Sequence, residues 1–223
     1  MNKVLDIENL TFAYEEKKIL ENFSCSIEQG NFVAIVGENG AGKSTLLNLI
    51  LHNLKPLSGK IKIFGDDIDQ KNHYQDIAYV SQSSVQNYRN FPTTVIEVIY
   101  NHLKFLKVKE PPEKYLDLVG LTEHQNKVLS ELSGGQLQRV ALAAAMIKNA
   151  SLILLDEPTT GIDKKFSREF FGFLQEIASS GKTIVIVTHA LDDAIDFIDY
   201  AIEIRNASGH ILSRGDLQKL VVK

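Results

Sequence analysis

Apolar residues along this chain fall into two kinds of pattern, and their alternation predicts an α/β fold. Short, almost wholly apolar runs, Phe32-Val33-Ala34-Ile35-Val36, Leu152-Ile153-Leu154-Leu155 and Thr183-Ile184-Val185-Ile186-Val187, suit parallel strands covered on both faces. Helical spacing follows them or lies between them: Leu46, Leu47, Ile50 and Leu51; an Ala- and Leu-rich stretch from Leu137 to about Lys148; and Phe166, Phe170, Phe173, Leu174 and Ile177, closed by Gly181. Residues 3 to 36 predict short strands joined by turns, at Val4-Leu5-Asp6-Ile7, Ile19-Leu20 and Cys25-Ser26-Ile27, with Gln29-Gly30-Asn31 turning into the first apolar run. Lys60-Ile61-Lys62-Ile63 and Ile77-Ala78-Tyr79-Val80 are further strands. Tyr200 to Ile204 and Ile211-Leu212 predict two edge strands, and Gly215 to Lys223 a short terminal helix.

One region departs from this alternation. Ser83 to Phe91 is polar and predicts irregular chain, and no strand-like run occurs between residues 83 and 150. Thr94 and Glu97 have the spacing of a capping box that opens an amphipathic helix from Val95 to about Leu106, and Pro111-Pro112 starts a second helix, Glu113 to Val119, ended by Gly120. The expectation is a single domain over residues 1–223, with an α/β core at 1–84 and 146–223 and a helical lobe, 85–145, inserted into it.

Composition changes this picture little. The 223 residues, 44% hydrophobic and 23% charged, suit one globular α/β domain, and the net charge of −4 with no Lys and Arg cluster gives no electrostatic reason to expect nucleic acid as a partner. No apolar run approaches the roughly 18 residues that cross a bilayer, and the N-terminus lacks a secretory pattern, so a cytosolic location is expected. Cys25 is the only cysteine, which excludes an internal disulfide and predicts a buried structural thiol. The six histidines have no metal-ligand spacing, so the chain is not expected to hold zinc itself.

The candidate chemistry gathers at the ends of the apolar runs. Gly37-Glu38-Asn39-Gly40-Ala41-Gly42-Lys43-Ser44-Thr45 lies between a predicted strand and a predicted helix with the spacing G-x-x-x-x-G-K-S. Its glycines allow close backbone approach to an anion, and its N–H groups and the helix start converge on one point, as a polyphosphate requires. Lys43 is expected to meet the outer phosphates and Ser44 to ligate Mg2+. Asp156 and Glu157 end a buried strand and His189 ends another; in open α/β sheets, ligands bind at those carboxyl ends. Leu132-Ser133-Gly134-Gly135-Gln136 is a second glycine-marked helix start that also favours an anion, although alone it is a turn capped by Ser133. Tyr14 alone is most simply a core or sheet-face aromatic.

In this order, the phosphate loop, Gln82, LSGGQ, LILLDE and His189 resemble the ATP-binding subunit of an ABC transporter over nearly the whole chain. The resemblance implies a P-loop NTPase cassette with a RecA-like parallel-sheet core, an N-terminal antiparallel β part and the inserted helical lobe. It implies that Tyr14 stacks on adenine, that Gly37 through Thr45 hold the phosphates of ATP, and that Gln82 and Asp156 reach Mg2+ or its waters. It further implies Glu157 as general base and His189 on the γ-phosphate, with Lys43 completing the catalytic set. Two cassettes are expected to pair head to tail as a homodimer, so that Ser133, Gly134, Gly135 and Gln136 act on ATP held by the other copy. Asp163, in Thr159-Thr160-Gly161-Ile162-Asp163, matches the loop that couples the two sites, where the commoner form is Ser-Ala-Leu-Asp. Glu38 and Ala190 replace a usual Pro and Asp.

Tyr79-Val80-Ser81-Gln82 and Phe91-Pro92-Thr93-Thr94-Val95-Ile96-Glu97-Val98 resemble the zinc and manganese uptake branch, with Ser81 where that branch usually has Pro. This implies a peripheral subunit on the cytoplasmic face of the cell membrane, powering metal import through separate permease subunits alongside an extracytoplasmic solute-binding protein. The competing readings are an importer of another solute and a soluble ABC ATPase that works as a mechanical switch.

Overall fold

The computed structural model describes residues 2–221, without the side chains of Gln82, Ser84, Gln86, Leu220 and Val221. The chain opens with two long antiparallel strands, β1 (Lys3–Tyr14) and β2 (Lys17–Glu28), then enters β3 (Phe32–Val36) and, through the glycine loop, α1 (Lys43–Ile50). β4 (Ser58–Ile63), β5 (Asp66–Asp67) and β6 (Ile77–Val80) follow. Four helices come next: α2 (Gln82–Tyr88), α3 (Val95–Phe105), α4 (Pro112–Leu118) and α5 (Gly134–Ile147). The last part alternates again through β7 (Leu152–Asp156), α6 (Lys164–Ser179), β8 (Thr183–Val187) and α7 (Leu191–Ala194). It closes on β9 (Tyr200–Arg205), β10 (Ser208–Ser213) and α8 (Arg214–Val221).

These strands build a four-stranded antiparallel sheet, β2-β1-β4-β5, and a six-stranded sheet, β10-β9-β3-β8-β7-β6. In the larger sheet β6, β7, β8, β3 and β9 run parallel and only β10 is antiparallel. Side chains alternate across it. Phe32, Ala34 and Val36 of β3 enter the core shared with α3, α5 and α6, whereas Val33 and Ile35 enter the one shared with α1 and the antiparallel sheet. Burial on both faces is the physical reason the strands read as continuous apolar runs. Leu154 is fully buried between the sheet and the α1 side, so Leu154→Ala should lower unfolding free energy by about 2–5 kcal/mol, read as a reduced urea midpoint. Cys25 is buried, and burial, helped by Asp6, pushes its thiol up to about 12.

Three sequence expectations are corrected. The stretch from Ser83 is helical as far as Tyr88, not irregular. Among its described side chains the inward contacts are Val85 and Tyr88, an apolar pair three residues apart, too short a stripe to register as periodicity. The strand fragments before Gly30 belong to two twelve-residue strands whose pairing is interrupted by register shifts, which break the alternation. β9 is not an edge strand: it lies between β3 and β10, tied in where the Asp199 carboxylate accepts from Phe32 N at 2.8 Å.

Candidate nucleotide site

Strand register brings the chemistry together. Ile35 of β3 pairs with Val187 of β8, and Val187 pairs with Asp156 of β7, so the three strands end at one level. The glycine loop, Glu157 and His189 all leave the sheet there. They line one groove of about 380 Å³, with Tyr14, Ile19, Asn39, Gly40, Gly42, Lys43, Ser44 and Thr45 contributing the remaining wall.

Close approach and positive φ explain the loop's glycines. A Cβ at Gly37 would stand 2.6 Å from the Ile204 carbonyl oxygen, and Gly42, the N-cap of α1, has φ of 105°. No side chain caps this helix among the described residues, so its first N–H groups are available to an anion. Lys43 is buried and donates to the carbonyls of Gly37 at 2.8 Å and Glu38 at 2.9 Å, bracing the loop from within. Burial lowers its pKa, and the nearby carboxylates of Glu157 and Asp156 oppose that fall. Ala41 lies in the loop, its N–H bonded to the Glu38 carbonyl at 3.1 Å.

Glu157 occupies a left-handed backbone conformation, φ 51°, a strain that a non-glycine residue holds only when its surroundings enforce it. Its N–H is fixed on the Val187 carbonyl at 2.9 Å. One carboxylate oxygen, Oε1, is 3.0 Å from His189 Nε2; the other, Oε2, accepts from the His189 N–H at 3.4 Å and the Thr160 hydroxyl at 3.3 Å. Asp156 has its Oδ2 3.4 Å from the Tyr79 hydroxyl, while its Oδ1 is buried and without a hydrogen-bond partner among the described residues. Burial raises the Asp156 pKa, with Tyr79, Lys43 and the Ser44 hydroxyl each opposing the rise. Tyr14 stands at the lip of the groove, 48% exposed, with its ring edge-on to Phe12 at 4.9 Å.

Ser133, Gly134, Gly135 and Gln136 do not line this groove among the described residues. Ser133 and Gln136 form a reciprocal capping box at the start of α5, and Gly134 opens onto a second recess bounded by Thr160, Gly161 and Ile162. The side chain of Gln82 lies outside the described residues. Sequence reasoning missed Tyr79, Thr160 and Ile19. Thr160 was within reach, three residues beyond Glu157, but Tyr79 contacts Asp156 only through the β6–β7 pairing, and Ile19 meets Gly42 only through the fold.

A glycine loop, a braced lysine and a strained glutamate on one edge of a parallel sheet define a nucleotide-binding ATPase of the P-loop class. The family model described as ABC transporter matches residues 20–160, and the chain belongs to that family. It is thus an ABC transporter ATP-binding protein, which binds nucleotide and hydrolyses ATP. The zinc uptake system ATP-binding protein ZurA of Listeria innocua is 35% identical over 214 residues, 92% of this chain and 83% of that protein. The manganese transport system ATP-binding protein MntB of Bacillus subtilis is 36% identical over 205 residues, 88% and 81% of the two chains. The crystal structure of the ADP conformation of an ABC transporter's ATP-binding cassette superposes with a TM-score of 0.87 at 25% identity, covering 100% of this chain and 96% of that one.

Proposed function

We propose that this chain powers import of a divalent metal ion, zinc or manganese, through separate permease subunits, as one of two cassettes that close on ATP head to tail. The observation that carries the chemistry is the convergence of Glu157 and His189 on the groove walled by residues 40–45. Tyr14 stacks on the adenine, the loop N–H groups hold the phosphates, and Lys43 meets the outer ones. Glu157 accepts a proton from the attacking water, and His189, held against it, orients the γ-phosphate. The donor set suits Mg2+: a buried Asp156 oxygen lacking a partner and the Ser44 hydroxyl are the hard oxygen ligands it prefers, with Gln82 completing them. When bound, the ion neutralises charge on the phosphates. His189→Ala should keep nucleotide affinity and lower kcat about 10²–10³-fold, measured as phosphate release at saturating ATP.

Pairing gives the second helix start its use. Ser133 through Gln136 do not line the chain's own groove among the described residues, and a facing copy can present them to the nucleotide from the side opposite Lys43. Permease docking is supported by the helical segment 85–145, where Phe91, Tyr100 and Phe105 are 58%, 57% and 83% exposed. Those partners would hold the chain at the cytoplasmic face of the bilayer; no helix among the described residues is long and apolar enough to cross a membrane. The cargo assignment is supported by the zinc and manganese relatives. Its test is the reconstituted complex with its solute-binding protein. ATPase stimulation by zinc- or manganese-loaded binding protein is expected, and stimulation by an unrelated solute alone would reassign the cargo.

A further inference from the structure

The aromatic stripe of α6 does two jobs. Phe170, Phe171 and Leu174 are fully buried and fill the core, whereas Phe166, in the first turn, is only partly buried. Its ring lies under the start of α5: a Cβ at Gly135 would stand 2.2 Å from its Cε1 and 2.5 Å from its Cδ1 and Cζ. The Arg139 guanidinium sits over the same ring, 4.8 Å from its centroid, and donates to the Val119 carbonyl beyond α4 at 3.0 Å. From the other side, the Asp163 carboxylate accepts from Phe166 N at 3.0 Å, and Ile162 packs 3.7 Å from the Cβ position of Gly134.

The ring therefore touches the start of α5 and, through Arg139, reaches the end of α4, while the backbone N–H of the same residue is held by Asp163 of the loop ahead of α6. Close packing transmits displacement because neither backbone can approach further without expelling the ring. The cation over the ring face adds directional attraction that bulk alone does not supply.

We propose that Phe166 is a positioning residue for ATP hydrolysis: wedged between Gly135 and Arg139, it makes the Ser133–Gln136 turn and the 159–163 loop move as one body toward nucleotide on the facing copy. This rests on the two-cassette reading above. Phe166 touches no nucleotide itself. Its effect belongs in pairing, not in the affinity of a chain's own loop.

The test uses the full chain carrying Glu157→Gln, with pairing in ATP followed by sedimentation across protein concentration. Phe166→Leu keeps most of the bulk and removes the ring face. It should raise the concentration for half-pairing at least tenfold and leave the ATP affinity of the dilute chain within twofold. Arg139→Lys should act similarly, and the double variant should be no worse than Phe166→Leu. Unchanged pairing in Phe166→Leu, or additive effects in the double variant, would overturn the proposal. Failure of the Glu157→Gln parent to pair would instead remove the two-cassette reading. Should the leucine variant not fold, hydrogen exchange on that parent decides. Protection at residues 133–137 and 164–168 must rise together on adding ATP, and a rise at 133–137 alone contradicts the joint.

Discussion

Replacing Glu157 with Gln should leave ATP binding intact and lower the ATPase rate about 10²–10⁴-fold, the range a positioned general base supplies. The amide keeps the shape of the side chain and can still contact the Thr160 hydroxyl, 3.3 Å from Oε2 in the native chain. What it loses is the basic oxygen 3.0 Å from His189 Nε2. The backbone at this position is already strained at φ 51°, and the Glu157 N–H remains on Val187, so the substitution has no structural reason to disturb the loop. Phosphate release and equilibrium binding of a fluorescent ATP analogue separate the two properties. A variant hydrolysing near the native rate would take the proton-accepting role away from Glu157.

Lys43→Ala should strike binding itself. The native ammonium is buried and holds two carbonyls of its own loop, at Gly37 and Glu38, so its removal takes away the brace that shapes the loop and, on the proposed reading, a cation beside the phosphates. Hydrogen bonds to charged groups contribute roughly 1.5–3 kcal/mol. The expected loss is about 10- to 100-fold in ATP affinity, since each 1.4 kcal/mol is tenfold. Unchanged affinity by calorimetry would contradict the placement of the phosphates in this loop.

The parts of this site legible in the sequence are those whose chemistry is local. The glycine loop declares itself as the candidate phosphate site because three glycines, a lysine and a serine at fixed spacing suit one physical demand, a backbone bent around an anion. Asp156, Glu157 and His189 were legible as strand ends, because a sheet covered on both faces concentrates ligands at its carboxyl edge. The capping boxes at Thr94 and Ser133 were legible for the same reason: donor and acceptor lie three residues apart, and both boxes form. What escaped depended on distant partners. The Tyr79 contact with Asp156 needs strand register, and the α2 helix takes its inward face from a core that the Val85 and Tyr88 spacing alone does not announce. Phe166 looked like one more core aromatic. Only the missing Cβ of Gly135 and the guanidinium of Arg139, both on another helix, give it a separate use.

The central claim, that each ATP is held by the loop of one copy and the Ser-Gly-Gly turn of another, is tested most directly by mixing two disabled chains. One carries Lys43→Ala and keeps its turn; the other carries Ser133→Arg at the exposed helix cap and keeps its loop. Neither should hydrolyse ATP alone. Mixed, they are predicted to regain activity, because the head-to-tail pair contains one site with both intact halves. No recovery across the mixing range, with both chains folded and pairing, would contradict the account.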